Sequence, residues 1–177
     1  SQRDLLPYFL RSEANTAFSG EMHGTDGPLG VSNIPDPQPT TRAFVQACQE
    51  FGMPYNPDFN GKAQEGAGIY QTTTRNARRC SAAVGYLRPA ERRPNLTVET
   101  GCLVDRILFE GVRATGVAYR RAGEMRVARA DSEVLVTAGA IGSPKIMMLS
   151  GVGPAAHLKK HGIEVVHDLP GVGENLT

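Results

Sequence analysis

The residue pattern predicts a mixed α+β and α/β chain in two parts. Loops and helices come first, and an antiparallel β-meander follows that runs into a strand–turn–helix. Three observations carry this. Apolar residues recur at helical spacing in the first half, the period changes to two from Asn95, and the pattern becomes continuously apolar at Val134-Leu-Val136. Such a continuous run suits a strand covered on both faces of a parallel sheet. The division falls at 91/92, giving segments 1–91 and 92–177.

Residues 19–40 hold Gly20, Gly24, Gly27, Pro28, Gly30, Pro35, Pro37 and Pro39, and read as extended, irregular backbone. A helix follows, capped by Thr40 or Thr41. It has an apolar stripe of Ala43, Phe44, Ala47, Cys48 and Phe51, and a stop at Gly52. A loop spans 53–74. A second helix is expected over Arg78–Leu87, ended by Pro89. Strands are then expected over Leu96–Thr100, Leu103–Phe109, Arg113–Arg120, Met125–Ala130 and Glu133–Thr137, with turns at Glu110-Gly111 and Ala122-Gly123.

The last of these strands enters a small-residue turn, Ala138-Gly-Ala140. Ser143-Pro144 is expected to open a helix, since a serine can cap free N–H groups and proline tolerates the first helical position. Ser150-Gly-Val-Gly153 ends it. A strand feeding a helix through small residues lets a ligand approach the backbone, and the positive helix end favours a phosphate. Beyond it, a helix after Pro154 carries Leu158 and stops at Gly162, and Ile163–His167 forms a short strand.

The chain is 40% hydrophobic and 21% charged with net charge +1, ordinary values for a globular protein. No polyanion-binding character follows from them. The arginines at 75, 78, 79, 88, 92 and 93 lack the aromatic interleaving of a nucleic-acid surface. Three widely spaced cysteines, Cys48, Cys80 and Cys102, argue against a disulfide framework or a Cys-x-x-Cys site. No apolar run approaches the roughly 18 residues a bilayer span needs, and the default placement is cytoplasmic.

The peptide Gly139–Gly153 matches, position by position, the second signature of the glucose–methanol–choline (GMC) family of flavin-dependent alcohol oxidoreductases. Leu6-Pro-Tyr-Phe9, His23-Gly24 with Gly27-Pro-Leu29, Asn60-Gly61 with Gln64-Glu-Gly66, Arg78-Arg79 with Ser81-Ala82, Arg93-Pro-Asn-Leu96 and Pro170–Leu176 resemble family sequence in family order. The similarity covers nearly all 177 residues and is nearest the choline/alcohol dehydrogenase-like branch. It implies part of an FAD-binding, Rossmann-like domain in 92–177 and part of a substrate-binding domain in 1–91. The family's Gly-x-Gly-x-x-Gly unit has no counterpart here, and its catalytic histidine lies beyond the motif at which this chain stops. The expectation is therefore an internal piece of a longer enzyme, inactive alone.

The resemblance implies FAD as cofactor, with a histidine outside this chain taking the hydroxyl proton while a hydride passes to flavin. The partners it implies are a small alcohol and an electron acceptor, oxygen or a quinone-like molecule. Val104 falls where family members contact adenine through backbone groups, and Ala138 and Gly139 fall at the turn beside the adenosine and pyrophosphate. No catalytic or metal-ligating residue is assigned. His157 and His161 lie four apart on a helix but lack a third ligand at suitable spacing, and His23 is expected to make a structural hydrogen bond. Two other readings stay open: an FAD-containing lyase of GMC type, and a non-catalytic nucleotide-binding or structural module.

Overall fold

The computed structural model describes residues 2–176. The chain divides into two compact units, Ser1–Val98 and Glu99–Thr177. The strand that the pattern predicts over Leu96–Thr100 does not form. That stretch is irregular and exposed, because among the described residues no neighbouring strand offers its backbone groups a partner.

The first unit opens with helix α1, Gln2–Ser12, to which the sequence pattern assigned no element. Asp4 in its first turn and Arg11 in its last complement the helix dipole, and Pro7 is tolerated inside it. Strand β1, Glu13–Asn15, pairs in parallel with β2, Leu29–Val31. The region 19–40 is therefore not wholly irregular as expected. Gly24 lets it fold back closely, since a β-carbon there would collide with the Leu10 carbonyl.

Helix α2, Pro39–Glu50, starts earlier than predicted. Pro39 occupies the first turn and Gln38 is the cap residue, with no side-chain bond, so neither Thr40 nor Thr41 caps it. Of the predicted stripe, Cys48 is half-buried, whereas Phe44 and Phe51 are 69% and 89% exposed; the buried residue is Val45. Gly52 ends the helix with φ +100°.

The helix expected from Arg78 is also corrected. Asn76 and Ala77 both take left-handed φ, 52° and 57°, and turn the chain back on itself. Arg78–Arg79 (β4) then pairs antiparallel with Thr74–Arg75 (β3). Helical backbone begins only after Cys80, as a π turn at Ala83–Leu87 followed by α3, Arg88–Ala90. Pro89 lies inside α3, whose last residue, Ala90, is one position beyond it.

The second unit is built on an antiparallel meander: β5, Cys102–Glu110; β6, Arg113–Arg121; β7, Glu124–Arg129. Ala122 and Gly123 have φ 51° and 86°, the positive pair a two-residue type I′ turn requires. The other turn is centred on Gly111-Val112, one residue beyond the expected Glu110-Gly111, since Glu110 pairs with Arg113. Ile107 and Ala118 anchor the meander in a small core.

Glu133–Thr137 does not form the predicted strand. Val134 and Val136 are half-buried and Leu135 is 77% exposed, on backbone without ladder partners. Parallel pairing needs adjacent strands, and none lies beside it among the described residues. Helix α4 spans Gly139–Leu149. Beyond it, β8, Val152–Gly153, pairs in parallel with β9, His167–Asp168, so the strand expected at 163–167 is shorter and later. Between them α5, Ala155–Lys160, buries Leu158 completely, and Gly162 turns away with φ +69°. Among the described residues no helix is long and apolar enough to cross a membrane.

Candidate functional site

Val104 and Ala138 meet across one hollow. Val104, Ile107 and Val117 of the meander line one side, and Val134–Ala138 with Ile146 of α4 line the rest, around about 250 Å³. Beside Val104 the β5–β6 register shifts, leaving Asp105 as an extra, bulged residue. Bulges concentrate next to functional sites because they re-aim the backbone. Asp105 is held by Arg106 and Arg120 at 3.3 and 3.5 Å.

Gly139, the third predicted residue, follows directly but is not part of the hollow's wall. Its φ of +84° is the left-handed conformation that glycine adopts without strain. A β-carbon at Gly139 would meet nothing within 4 Å, so backbone conformation, not close packing, calls for glycine here. The helix opens at Gly139 with Ala138 as cap residue, which moves the start expected at Ser143-Pro144. Ser143 instead reaches back from inside the helix, and its Oγ accepts the Ala138 N–H at 3.0 Å. The turn is thereby braced from within α4.

The first unit holds a charged cluster that sequence reasoning did not assemble. His23 is buried, its Nε2 2.9 Å from Asp58 Oδ2 and its Nδ1 3.1 Å from Glu13 Oε2. Glu13 also accepts the Gly24 N–H, and Asp58 accepts the Asn60 N–H. Burial pushes the imidazole pKa down, but hydrogen bonds donated to Asp58 and Glu13, with their charges, outweigh it and leave it raised above 6.5. Asn15 steadies the same corner by accepting the Ala17 and Phe18 N–H groups and donating to Gln71. The expected structural hydrogen bond of His23 is thus an ion-paired bridge across 35 positions of sequence. It borders a hollow of about 460 Å³ whose apolar walls include Leu6, Phe9, Leu29 and Val31.

The remaining marked residues stay apart from both places. His157 and His161 stack edge-on at 4.7 Å on an exposed face. Among the described residues no group of three or more His, Cys, Asp or Glu side chains could hold a metal ion. Cys80 is buried, its Sγ accepting the Gly30 N–H at 3.3 Å, and all three cysteines are free thiols.

The profile of the family described as GMC oxidoreductase matches residues 1–177. The oxygen-dependent choline dehydrogenase of Rhizobium meliloti is 47% identical over 173 residues, 98% of this chain and 31% of that protein. Oxygen-dependent choline dehydrogenase 1 of Chromohalobacter salexigens is 50% identical, over 97% of this chain and 31% of that protein. Among solved structures, pyridoxine 4-oxidase from Mesorbium loti aligns with TM-score 0.87 at 30% identity, covering 96% of this chain and 34% of that one. An FAD-dependent oxidoreductase from Chaetomium thermophilum aligns with TM-score 0.86 at 30% identity, over 96% and 32% of the two chains. The chain thus spans 31% of the length of these curated relatives. It belongs to the GMC oxidoreductase family of FAD-dependent proteins.

Proposed function

We propose that the protein oxidises the CH–OH group of a small alcohol, choline being the first to test, with FAD. In this reading Val104, Ala138 and Gly139 lie at the adenine and pyrophosphate end of the cofactor, and residues 1–91 contribute one wall of the substrate cavity. The observation that carries it is the shared hollow of Val104 and Ala138 at the turn that opens α4.

The residues fit that part of the group. About 250 Å³ falls below the roughly 300–1,000 Å³ of a complete ligand pocket, so the hollow suits a ring and not a whole dinucleotide. Its apolar walls favour an aromatic face, and the bulge at Asp105 leaves irregular backbone beside Val104 for polar contacts. The adjoining α4 end favours negative charge. When bound, FAD supplies the hydride acceptor; electrons then pass to oxygen or a quinone-like molecule. This segment binds and orients, and no residue of it is assigned a catalytic role.

The experiment is expression from the complete reading frame, followed by flavin extraction and anaerobic titration with choline and other small alcohols. Bound FAD whose absorption bleaches on adding an alcohol is expected. A folded protein without flavin, or with flavin that no alcohol reduces, defeats the proposal.

A further inference from the structure

We infer that Ser150 is a positioning residue for the cofactor site, latching the strand that carries Val104 to the helix that starts at Ala138-Gly139; the inference rests on the cofactor reading above. Among the described residues β5 is an edge strand of the meander, with β6 on one side only. The Ile107 N–H points off that free edge, and Ser150 Oγ accepts it at 2.8 Å, across 43 positions of sequence. The same hydroxyl donates to the Ile146 carbonyl in the last turn of α4. Both its hydrogen-bonding roles are therefore filled, one in each element. Ser150 and Ile107 are each 7% exposed, so water does not readily replace the bond.

The two ends of this latch matter because of what they hold. Ile107 lies three positions after Val104 on the same strand, past the Asp105 bulge, and both residues line the hollow. Ser150 follows directly on α4, whose other end is the Ala138-Gly139 turn. An α-helix of that length is a lever of about 16 Å, and a tilt of ~5° at one end moves the other by more than 1 Å. Alanine at 150 would leave the Ile107 N–H buried without an acceptor and let the strand and helix separate. Threonine keeps the hydroxyl.

The test uses flavin-free protein from the complete reading frame, with FAD, ADP and FMN as probes in calorimetric titrations at low temperature. Ser150→Ala is expected to weaken FAD and ADP binding by the same factor, about tenfold or 1.4 kcal/mol, and to leave FMN binding unchanged. Ser150→Thr is expected to restore both affinities. A merely structural serine would lower the melting temperature without this adenine-specific loss. Ser150→Ala binding ADP as tightly as wild type, or losing FMN affinity equally, overturns the inference while the cofactor reading stands. Wild-type protein that binds neither FAD nor ADP overturns both. Should Ser150→Ala not fold, Ser150→Cys takes its place; a smaller loss for ADP is expected, and wild-type affinity again overturns the inference.

Discussion

His23 Nε2 lies 2.9 Å from Asp58 Oδ2, and this one contact joins the glycine-rich segment after β1 to the loop after α2. The other ring nitrogen faces Glu13, so both nitrogens meet carboxylates, and the protonated ring can donate to both at once. Replacing it by glutamine removes the cation and leaves two carboxylates facing each other near its site. A loss of about 2–3 kcal/mol is expected from the charge-assisted bonds alone. Urea unfolding with a wild-type-like midpoint for His23→Gln would refute the bridge.

The same bridge sets a pH dependence. Folding raises the His23 pKa above its ordinary 6.5, so the folded state binds the proton more tightly than the unfolded chain. Its contribution is complete below pH 6.5 and is lost as pH rises through the raised folded value. The stability difference between wild type and His23→Gln should therefore shrink as pH climbs beyond 6.5. A difference that grows over that range would reverse the sign of the linkage; melting curves of both proteins across the range decide it.

Leu158 is fully buried beneath α5, between β8 and the chain that follows. Leu158→Ala should lower stability by about 2–5 kcal/mol through lost burial and the cavity left behind. Differential scanning calorimetry showing under about 1 kcal/mol of change would mean that the second unit has no packed core at this point.

Ala122 holds φ 51° in the turn between β6 and β7, where an asparagine before Gly123 is the favoured partner. Ala122→Asn is expected to stabilise the protein by about 0.5–1 kcal/mol, by relieving left-handed strain. A lower melting temperature for this variant would show that the turn is not of type I′.

Gly139 tests strain without collision. With φ +84° and open space around the missing β-carbon, Gly139→Ala should cost about 1–2 kcal/mol, all of it conformational. Gly139→Val should cost somewhat more, because β-branching stiffens the backbone further. A neutral alanine would mean that α4 can open one residue later without loss.

What lay open in the residues was local. Alternation at period two placed β5, β6 and β7, a small-residue pair marked the β6–β7 turn, Gly52 and Gly162 marked helix ends, and Leu158 announced a buried face. The matched motifs carried the family, because a signature is a property of consecutive residues. Misplacements arose where a local preference competed with a neighbour. Asn76-Ala77 made a hairpin of Arg78–Arg79 inside a helical pattern, and Pro39 took the helix start from the threonines.

The tertiary structure alone decided the rest. Val134-Leu-Val136 has the composition of a buried strand, yet a strand exists only where another supplies the opposite donors and acceptors. Phe44 and Phe51 satisfy a helical stripe, but burial needs a surface to face. Glu13, His23 and Asp58 carry no shared spacing, and neither do Ile107 and Ser150. Each pair or triad is brought together by the course of the chain between its members, and electrostatic and hydrogen-bond energies depend on distances in space.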